Sequence, residues 1–147
     1  MSQDIWIYLF RGHPTDVYFN RHALIFVDSR EDGTFHHTCH IQRDAAKTPW
    51  QHRYDLAADG ETFLLDVRFL CAIHVATLRV DAKTPMVVVD RIRQTPILGD
   101  ADASDWNCQD WVADSLKTLL KAGYVDRATH DGVFEAFMDA ILDGALG

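Results

Sequence analysis

A run of turn-forming residues between two strand-like segments constrains the fold of this chain more than any other feature of the sequence. His22–Val27 and Thr34–Ile41 flank Asp28–Gly33, a cluster of turn formers that ends in glycine. This arrangement predicts a β-hairpin, in which the two strands are antiparallel neighbours. Side chains alternate between the two faces of a strand. The returning strand is therefore expected to carry one set of residues on one face (His36, Thr38, His40) and another set on the opposite face (His37, Cys39).

Further strands are predicted on both sides of the hairpin. Ile5–Phe10 is rich in β-branched and aromatic residues and predicts a first strand. His52–Leu56 predicts a short strand. Thr62–Phe69 and Cys71–Val80 are interpreted as two strands, although one continuous helix also fits, because short apolar runs do not separate the two periodicities.

Helices are predicted in the last third of the chain. Thr84 as N-cap and Pro85 at the first helical position predict a short helix that ends at Arg93, although its valine run also suits a strand. Apolar residues at helical spacing predict a second helix over 106–121, which Gly123 would close. The last amphipathic helix is predicted over 131–142, with its apolar stripe packed in the core.

Length, charge and cysteine content exclude several classes of protein. A chain of 147 residues fits a single domain spanning 1–147. A net charge of −8 disfavours a non-specific binder of nucleic-acid backbones. The three cysteines are odd in number and form no CxxC pair, which disfavours a disulfide framework and suits a reducing compartment. The N-terminal apolar stretch Ile5–Phe10 is too short for a membrane span and lacks the flanks of a secretion signal, so we expect a cytoplasmic protein without a membrane span.

Cys108 has the most informative surroundings among the three cysteines. It lies after an Asp/Ser-rich segment and in the first turn of the strongest predicted helix, where unpaired backbone N–H groups and the helix dipole favour a thiolate. Asn107 and Gln109 flank it with amide side chains that can support an oxyanion. The alternative interpretation is a small buried apolar residue.

The histidines offer Cys108 a base. His22 opens a predicted strand, and a neutral imidazole there can accept the proton of a thiol. A histidine of the returning strand can orient the His22 ring. A zinc site that recruits His36 and His40 is less favoured, because no spacing in the chain is that of a closed zinc site, and we expect no metal and no cofactor.

These residues and their order resemble the circularly permuted papain-like superfamily, which includes lecithin:retinol acyltransferase-like, NlpC-type and PPPDE-type proteins. The segment RHALIFVDSREDGTFHH is similar to the acyltransferase-like pattern of histidine, hydrophobic strand, Asp-Gly turn and returning strand with histidine. WNCQDWV is similar to the Asn-Cys helix start of those proteins, and most of all to an Asn-Cys-Gln-Asp-aromatic element of small uncharacterised fungal proteins. In this family the base precedes the nucleophile.

The resemblance implies an α+β fold, an antiparallel sheet packed against helices in a circularly permuted papain-like arrangement. It also implies roles for single residues: Cys108 as nucleophile, His22 as general base and His37 as the histidine that orients it, with His36 as second choice. Gln109-Asp110 replaces the family's Glu-His, which indicates a distinct branch whose substrate need not be a lipid.

The expected function is a cysteine hydrolase that cleaves a peptide or small-molecule amide or ester bond through a thioester on Cys108. An acyltransferase or lipid hydrolase of the same fold, and a binding module without catalysis, are the alternatives. An acidic segment over 100–105 borders the nucleophile in sequence and would attract a cationic substrate, although a solvated loop is the simpler interpretation.

Overall fold

In the computed structural model of the chain, residues 2–12, 21–29, 35–44, 48–57, 68–99 and 106–146 are described. They form five strands followed by three helices. The strands are β1 (Ser2–Arg11), β2 (Arg21–Ser29), β3 (Phe35–Gln42), β4 (Gln51–Ala57) and β5 (Phe69–Arg79). The helices are α1 (Val87–Arg93), α2 (Cys108–Lys121) and α3 (Arg127–Leu146).

The strands form one sheet in the order β4-β3-β2-β1-β5, and every neighbouring pair is antiparallel. Strand β2, the first strand of the predicted hairpin, lies at the centre. The hairpin is confirmed, with Ile25 to Ser29 paired with Cys39 to Phe35; β2 also includes Asp28 and Ser29, which the sequence analysis assigned to the turn. The predicted α+β fold class, an antiparallel sheet packed against helices, is confirmed.

The other predicted strands agree with the structure where it describes them. The short strand predicted over 52–56 lies within β4. The first predicted strand, Ile5–Phe10, lies within β1, which is longer at both ends. The second apolar segment forms β5, so that the alternative of a continuous helix is wrong for Phe69–Arg79. The preceding predicted strand, Thr62–Phe69, lies mostly outside the described residues, because only its last two residues, Arg68 and Phe69, are described.

All three helices begin at residues other than predicted, and α2 begins two residues later than the predicted position 106, at Cys108. Thr84 is not an N-cap: its N–H donates to the Asp81 carbonyl and its own carbonyl accepts from Val87, so these residues form turns and the helix is capped by Met86. Helix α3 begins at Arg127, one turn before the predicted start. The side chain of Asp126 accepts a hydrogen bond from the Thr129 N–H at 2.8 Å, which is N-cap geometry that the apolar stripe alone did not predict.

Gly123 closes α2 as predicted. Its φ of 83° lies in the left-handed region that favours glycine. The Tyr124 N–H donates to the Leu119 carbonyl, and the Gly123 N–H donates to the Leu120 carbonyl. This pair of hydrogen bonds is a Schellman motif, which satisfies backbone carbonyls that have no partner within the helix at its C-terminus.

The three helices contribute to a core on one face of the sheet. This main cluster contains the alternate residues Ile5, Ile7 and Leu9 of β1 and Ala23, Ile25 and Val27 of β2, packed with apolar residues of all three helices. A smaller cluster on the opposite face contains Tyr8, Phe10, Leu24 and Phe26. We call these two surfaces the helix face and the outer face. Helix α2 contacts β2 and β3, which places its first turn beside the hairpin.

Candidate active site

The first turn of α2 is fixed by a complete capping box. The side chain of Asn107 accepts a hydrogen bond from the Gln109 N–H at 2.8 Å, and the side chain of Asp110 accepts one from the Asn107 N–H at 2.9 Å. The two side chains satisfy backbone donors that would otherwise be left over at the helix start. Cys108 is consequently the first residue of a helix whose start is rigidly defined.

Cys108 contacts the backbone of β2 on both sides of His22. Its Sγ lies 3.9 Å from the carbonyl oxygen of Arg21, and the side-chain amide of Gln109 donates to the same oxygen at 3.3 Å. The backbone N–H of Ala23 is also close enough to Sγ to lower the pKa of the thiol. The thiol of Cys108 is thus placed against the backbone of the strand segment that carries His22, on the helix face of the sheet.

The position of Cys108 follows from a local separation of two strands. The pairing of β2 with β3 runs from Ile25 opposite Cys39 to Ser29 opposite Phe35. The start of β2, residues 21–24, extends beyond this paired stretch, although it remains paired with β1 on its other side. The first turn of α2 supplies hydrogen bonds to β2 at the point where β3 no longer does.

The imidazole of His22 lies on the outer face and is bonded to His40. The two side chains share a buried hydrogen bond of 2.9 Å between His22 Nε2 and His40 Nδ1, with their rings edge to face. Phe10, a member of the outer-face cluster, lies beside the His22 ring at 6.4 Å between centroids. The histidine bonded to His22 is therefore His40, and not His37 or His36, to which the resemblance assigns this role.

His37 and His36 have other partners. His37 points to the helix face, where its Nδ1 shares a hydrogen bond of 2.7 Å with the hydroxyl of Tyr54. Burial is the main cause that lowers the pKa of His37. His36 lies on the outer face, where it stacks on Phe26, and its Nδ1 is 3.4 Å from Asp28. The predicted alternation of faces along β3 is confirmed.

The register of the hairpin explains why His40 is the hydrogen-bond partner of His22. Leu24 and His40 occupy opposing positions when the pairing of Ile25 with Cys39 is continued by one residue. His22 is two residues before Leu24 and shares its face, so only even-numbered positions of β3 can meet its ring. His37, to which the resemblance assigns this role, is at an odd-numbered position and therefore lies on the opposite face from the His22 ring.

Burial governs the protonation state of Cys108. The side chain is fully buried, with an exposed fraction of 0%. Burial raises the pKa of its thiol to about 12, whereas the backbone amides of Ala23, Cys108 and Gln109 act in the opposite direction without compensating it. The helix start alone therefore does not produce the thiolate that the sequence suggested, and Cys108 is a neutral thiol at neutral pH.

The structure also bears on the zinc site, the membrane span and the acidic segment that the sequence analysis weighed. Among the residues that the structure describes, no group of three or more His, Cys, Asp or Glu side chains is placed to hold a metal ion. Nor does any helix within the described ranges have the length and apolar character needed to cross a membrane. The acidic segment over 100–105 lies outside the described residues.

The chain was compared with protein families, curated proteins and solved structures. None of the family models, curated proteins or solved structures matches it.

Proposed function

We propose that this protein is a cysteine hydrolase that cleaves a peptide or small-molecule amide bond, with Cys108 as nucleophile and His22 as general base. The observation that carries the proposal is the position of Sγ, which lies between the Arg21 carbonyl and the Ala23 amide. These two backbone groups flank His22, whose imidazole is bonded to His40. A helix start and an open strand end both present backbone N–H groups that can stabilise a thiolate.

The neutral state of Cys108 assigns the first chemical step to the histidine. Because His22 Nε2 is bonded to His40, the proton acceptor is His22 Nδ1. In the resting arrangement Sγ lies against the Arg21 carbonyl on the helix face and the His22 ring lies on the outer face, so both side chains must reorient at the open end of β2 before the transfer. His40 is a positioning residue, since it fixes the orientation and tautomer of the His22 ring.

The reaction then follows the general course of nucleophilic catalysis. As Sγ attacks the acyl carbon, His22 takes the thiol proton, and the C–N bond breaks as His22 returns this proton to the leaving amine. Water, deprotonated by His22, hydrolyses the thioester and releases the acid and the free thiol. The backbone amides around Sγ and the helix dipole stabilise the negative charge on the sulfur.

The proposal is tested by locating the acyl group. The native protein is incubated with p-nitrophenyl acetate, and the acetylated residue is identified by peptide mass spectrometry after quenching in acid. We expect one hydroxylamine-labile acetyl group on Cys108, which is absent from Cys108→Ala and forms more slowly in His22→Ala.

Cys71 is the matched control, because it is the cysteine whose side chain is partly exposed. Cys71→Ala should acquire acetyl at the wild-type rate. Acetylation that favours Cys71 over Cys108, or that is insensitive to His22→Ala, would contradict the proposal.

One observation favours a second candidate function, a binding module of the same fold without catalysis. The complete burial of Cys108 and the raised pKa of its thiol are also properties of a packed structural cysteine. Under that function Cys108 stays unacylated by every activated ester, while His22→Ala leaves the protein folded.

A further inference from the structure

A cleft on the helix face lies beside the candidate active site and is not used by the proposed chemistry. Its volume is about 370 Å³, which is in the size range of sites for small organic molecules. Strands β3 and β4 and helices α1 and α2 contribute to it, and its lining includes Cys39, His52, Tyr54, Arg93 and Trp111. Trp111 lies three residues after Cys108, so the cleft begins one helical turn from the candidate nucleophile.

Arg93 is the arginine whose side chain faces the cleft, and Asp90 is the one acidic residue among its described lining. Arg53 borders the cleft between His52 and Tyr54 of β4, and the alternation of the strand directs its side chain to the opposite face of the sheet. A guanidinium in a concave site favours an anionic ligand.

Arg93 is held in position by an aromatic ring. Its guanidinium carbon lies 4.2 Å from the centroid of the Tyr54 ring, which is cation–π geometry. Tyr54 is itself fixed through its hydroxyl by His37 at 2.7 Å. The ion pair of Arg93 with Asp90 is long, at 3.7 Å, and both side chains are about half exposed, so it contributes little and leaves guanidinium donors for a ligand.

The opposite wall of the cleft is equally fixed. The carbonyl of Thr95 accepts two hydrogen bonds, from Trp111 Nε1 at 3.0 Å and from His52 Nε2 at 2.8 Å. A carbonyl only accepts, so the proton of a neutral His52 is on Nε2 and its Nδ1 is an acceptor. The His52 and Trp111 rings meet edge to face at 6.1 Å between centroids. These contacts form an aromatic wall opposite the cation.

We propose that this cleft binds a small organic carboxylate, with the carboxylate on the Arg93 guanidinium and the planar or apolar body of the ligand against the exposed His52 ring, behind which the buried Trp111 packs. A planar guanidinium matches a carboxylate with two parallel hydrogen bonds, which a point charge does not. The inference does not depend on the reactivity of Cys108, since none of its contacts involves the thiol.

The experiment is a titration of the full-length, ¹⁵N-labelled protein with sodium benzoate, followed by two-dimensional NMR. The indole N–H of Trp111 reports directly on the cleft, because it is bonded to Thr95. We expect a saturable shift of this signal with benzoate. Benzamide has the same shape without the charge, and we expect it to bind at least about tenfold more weakly, since an ionic hydrogen bond is about twice as strong as a neutral one.

Matched variants assign the effect to Arg93. Arg93→Gln should weaken benzoate binding at least about tenfold, Arg93→Lys should weaken it less, and Arg91→Gln, at an exposed position two residues away on the same helix, should leave it unchanged. The spectra of the variants away from the cleft show whether they are folded. The proposal is overturned if benzoate produces no saturable shift, if benzamide binds as well as benzoate, or if Arg91→Gln and Arg93→Gln have equal effects.

Discussion

Cys108 and Cys39 are equally buried and have similar thiol pKa values, but the groups around the two side chains differ. Both are at most 1% exposed, and burial raises the pKa of each to about 12. Cys39 lies in the middle of β3, where the backbone groups of the strand are used by β2 and β4. Cys108 lies at a helix start against the backbone flanking His22. The pKa of a buried thiol therefore does not identify a nucleophile. A nucleophile is identified by the groups that can receive its proton and stabilise its anion.

The largest expected difference between the two thiols is in acylation. We expect Cys108→Ser to lower the rate of acylation by p-nitrophenyl acetate on the order of 10³-fold, because the nucleophile is removed, and Cys39→Ser to leave it within about twofold. The rate of p-nitrophenol release measures this. Equal losses in the two variants would mean that the thiols differ in packing only.

Two histidines of β3, His40 and His37, give the second contrast. His40→Asn removes the partner of His22 and should lower the acylation rate by about 10–100-fold and shift its pH profile, because the ring loses its fixed tautomer. His37→Asn changes the partner of Tyr54 on the other face and should leave the pH profile unchanged. Stopped-flow rates between pH 5 and pH 9, on the order of ten values per variant, decide it. A profile that moves with His37 and not with His40 would reverse the assignment.

The sequence predicts most of the architecture and only part of the site. The hairpin and β4 depend on local chemistry, namely turn formers and alternation, which a sequence displays directly. Helical spacing predicts α2 to within two residues of its start, whereas the role of Asn107 as N-cap, in place of oxyanion support, is seen only in the structure. His40 depends on the register across the hairpin, where one residue of error exchanges the faces of the strand. The burial of Cys108 depends on three packed elements that are far apart in the chain, so the helix dipole suggested a thiolate where the fold keeps a thiol.

Alkaline pH gives a third, smaller contrast. An unfolded thiol loses its proton near pH 9, whereas the buried thiols of Cys39 and Cys108 keep theirs up to about 12. Between these values the folded chain binds more protons than the unfolded chain. The stability gained from burial is therefore complete below pH 9 and is lost as the pH rises towards 12, by at most about 1.4 kcal/mol per pH unit for each thiol.

Urea denaturation at several values between about pH 8 and pH 11 measures this loss of stability, because this range begins below the pKa of an unfolded thiol and extends above it. Cys108→Ala and Cys39→Ala should each have a shallower pH dependence than the wild type, by similar amounts. A change in only one variant would show that the two thiols are not equally buried in solution.

The helix start gives the smallest contrast. Asn107→Ala removes the side-chain acceptor of the capping box and should lower the free energy of unfolding by about 1 kcal/mol, whereas Asn107→Asp keeps an acceptor and should lower it less. The same Ala variant should slow acylation of Cys108. Hydrogen exchange of the Gln109 amide should accelerate in Asn107→Ala, and unchanged exchange would contradict the role of the cap.

The contact of α2 with the Arg21 carbonyl has a consequence for association between molecules. A stretch of strand that extends beyond its neighbour presents backbone groups that another chain can pair with, which is a route to aggregation. Here the Gln109 amide and the Cys108 thiol occupy that carbonyl. The same side chains that form the candidate active site therefore also help to shield the sheet from intermolecular strand pairing, so changes at this helix start are constrained by solubility as well as by chemistry.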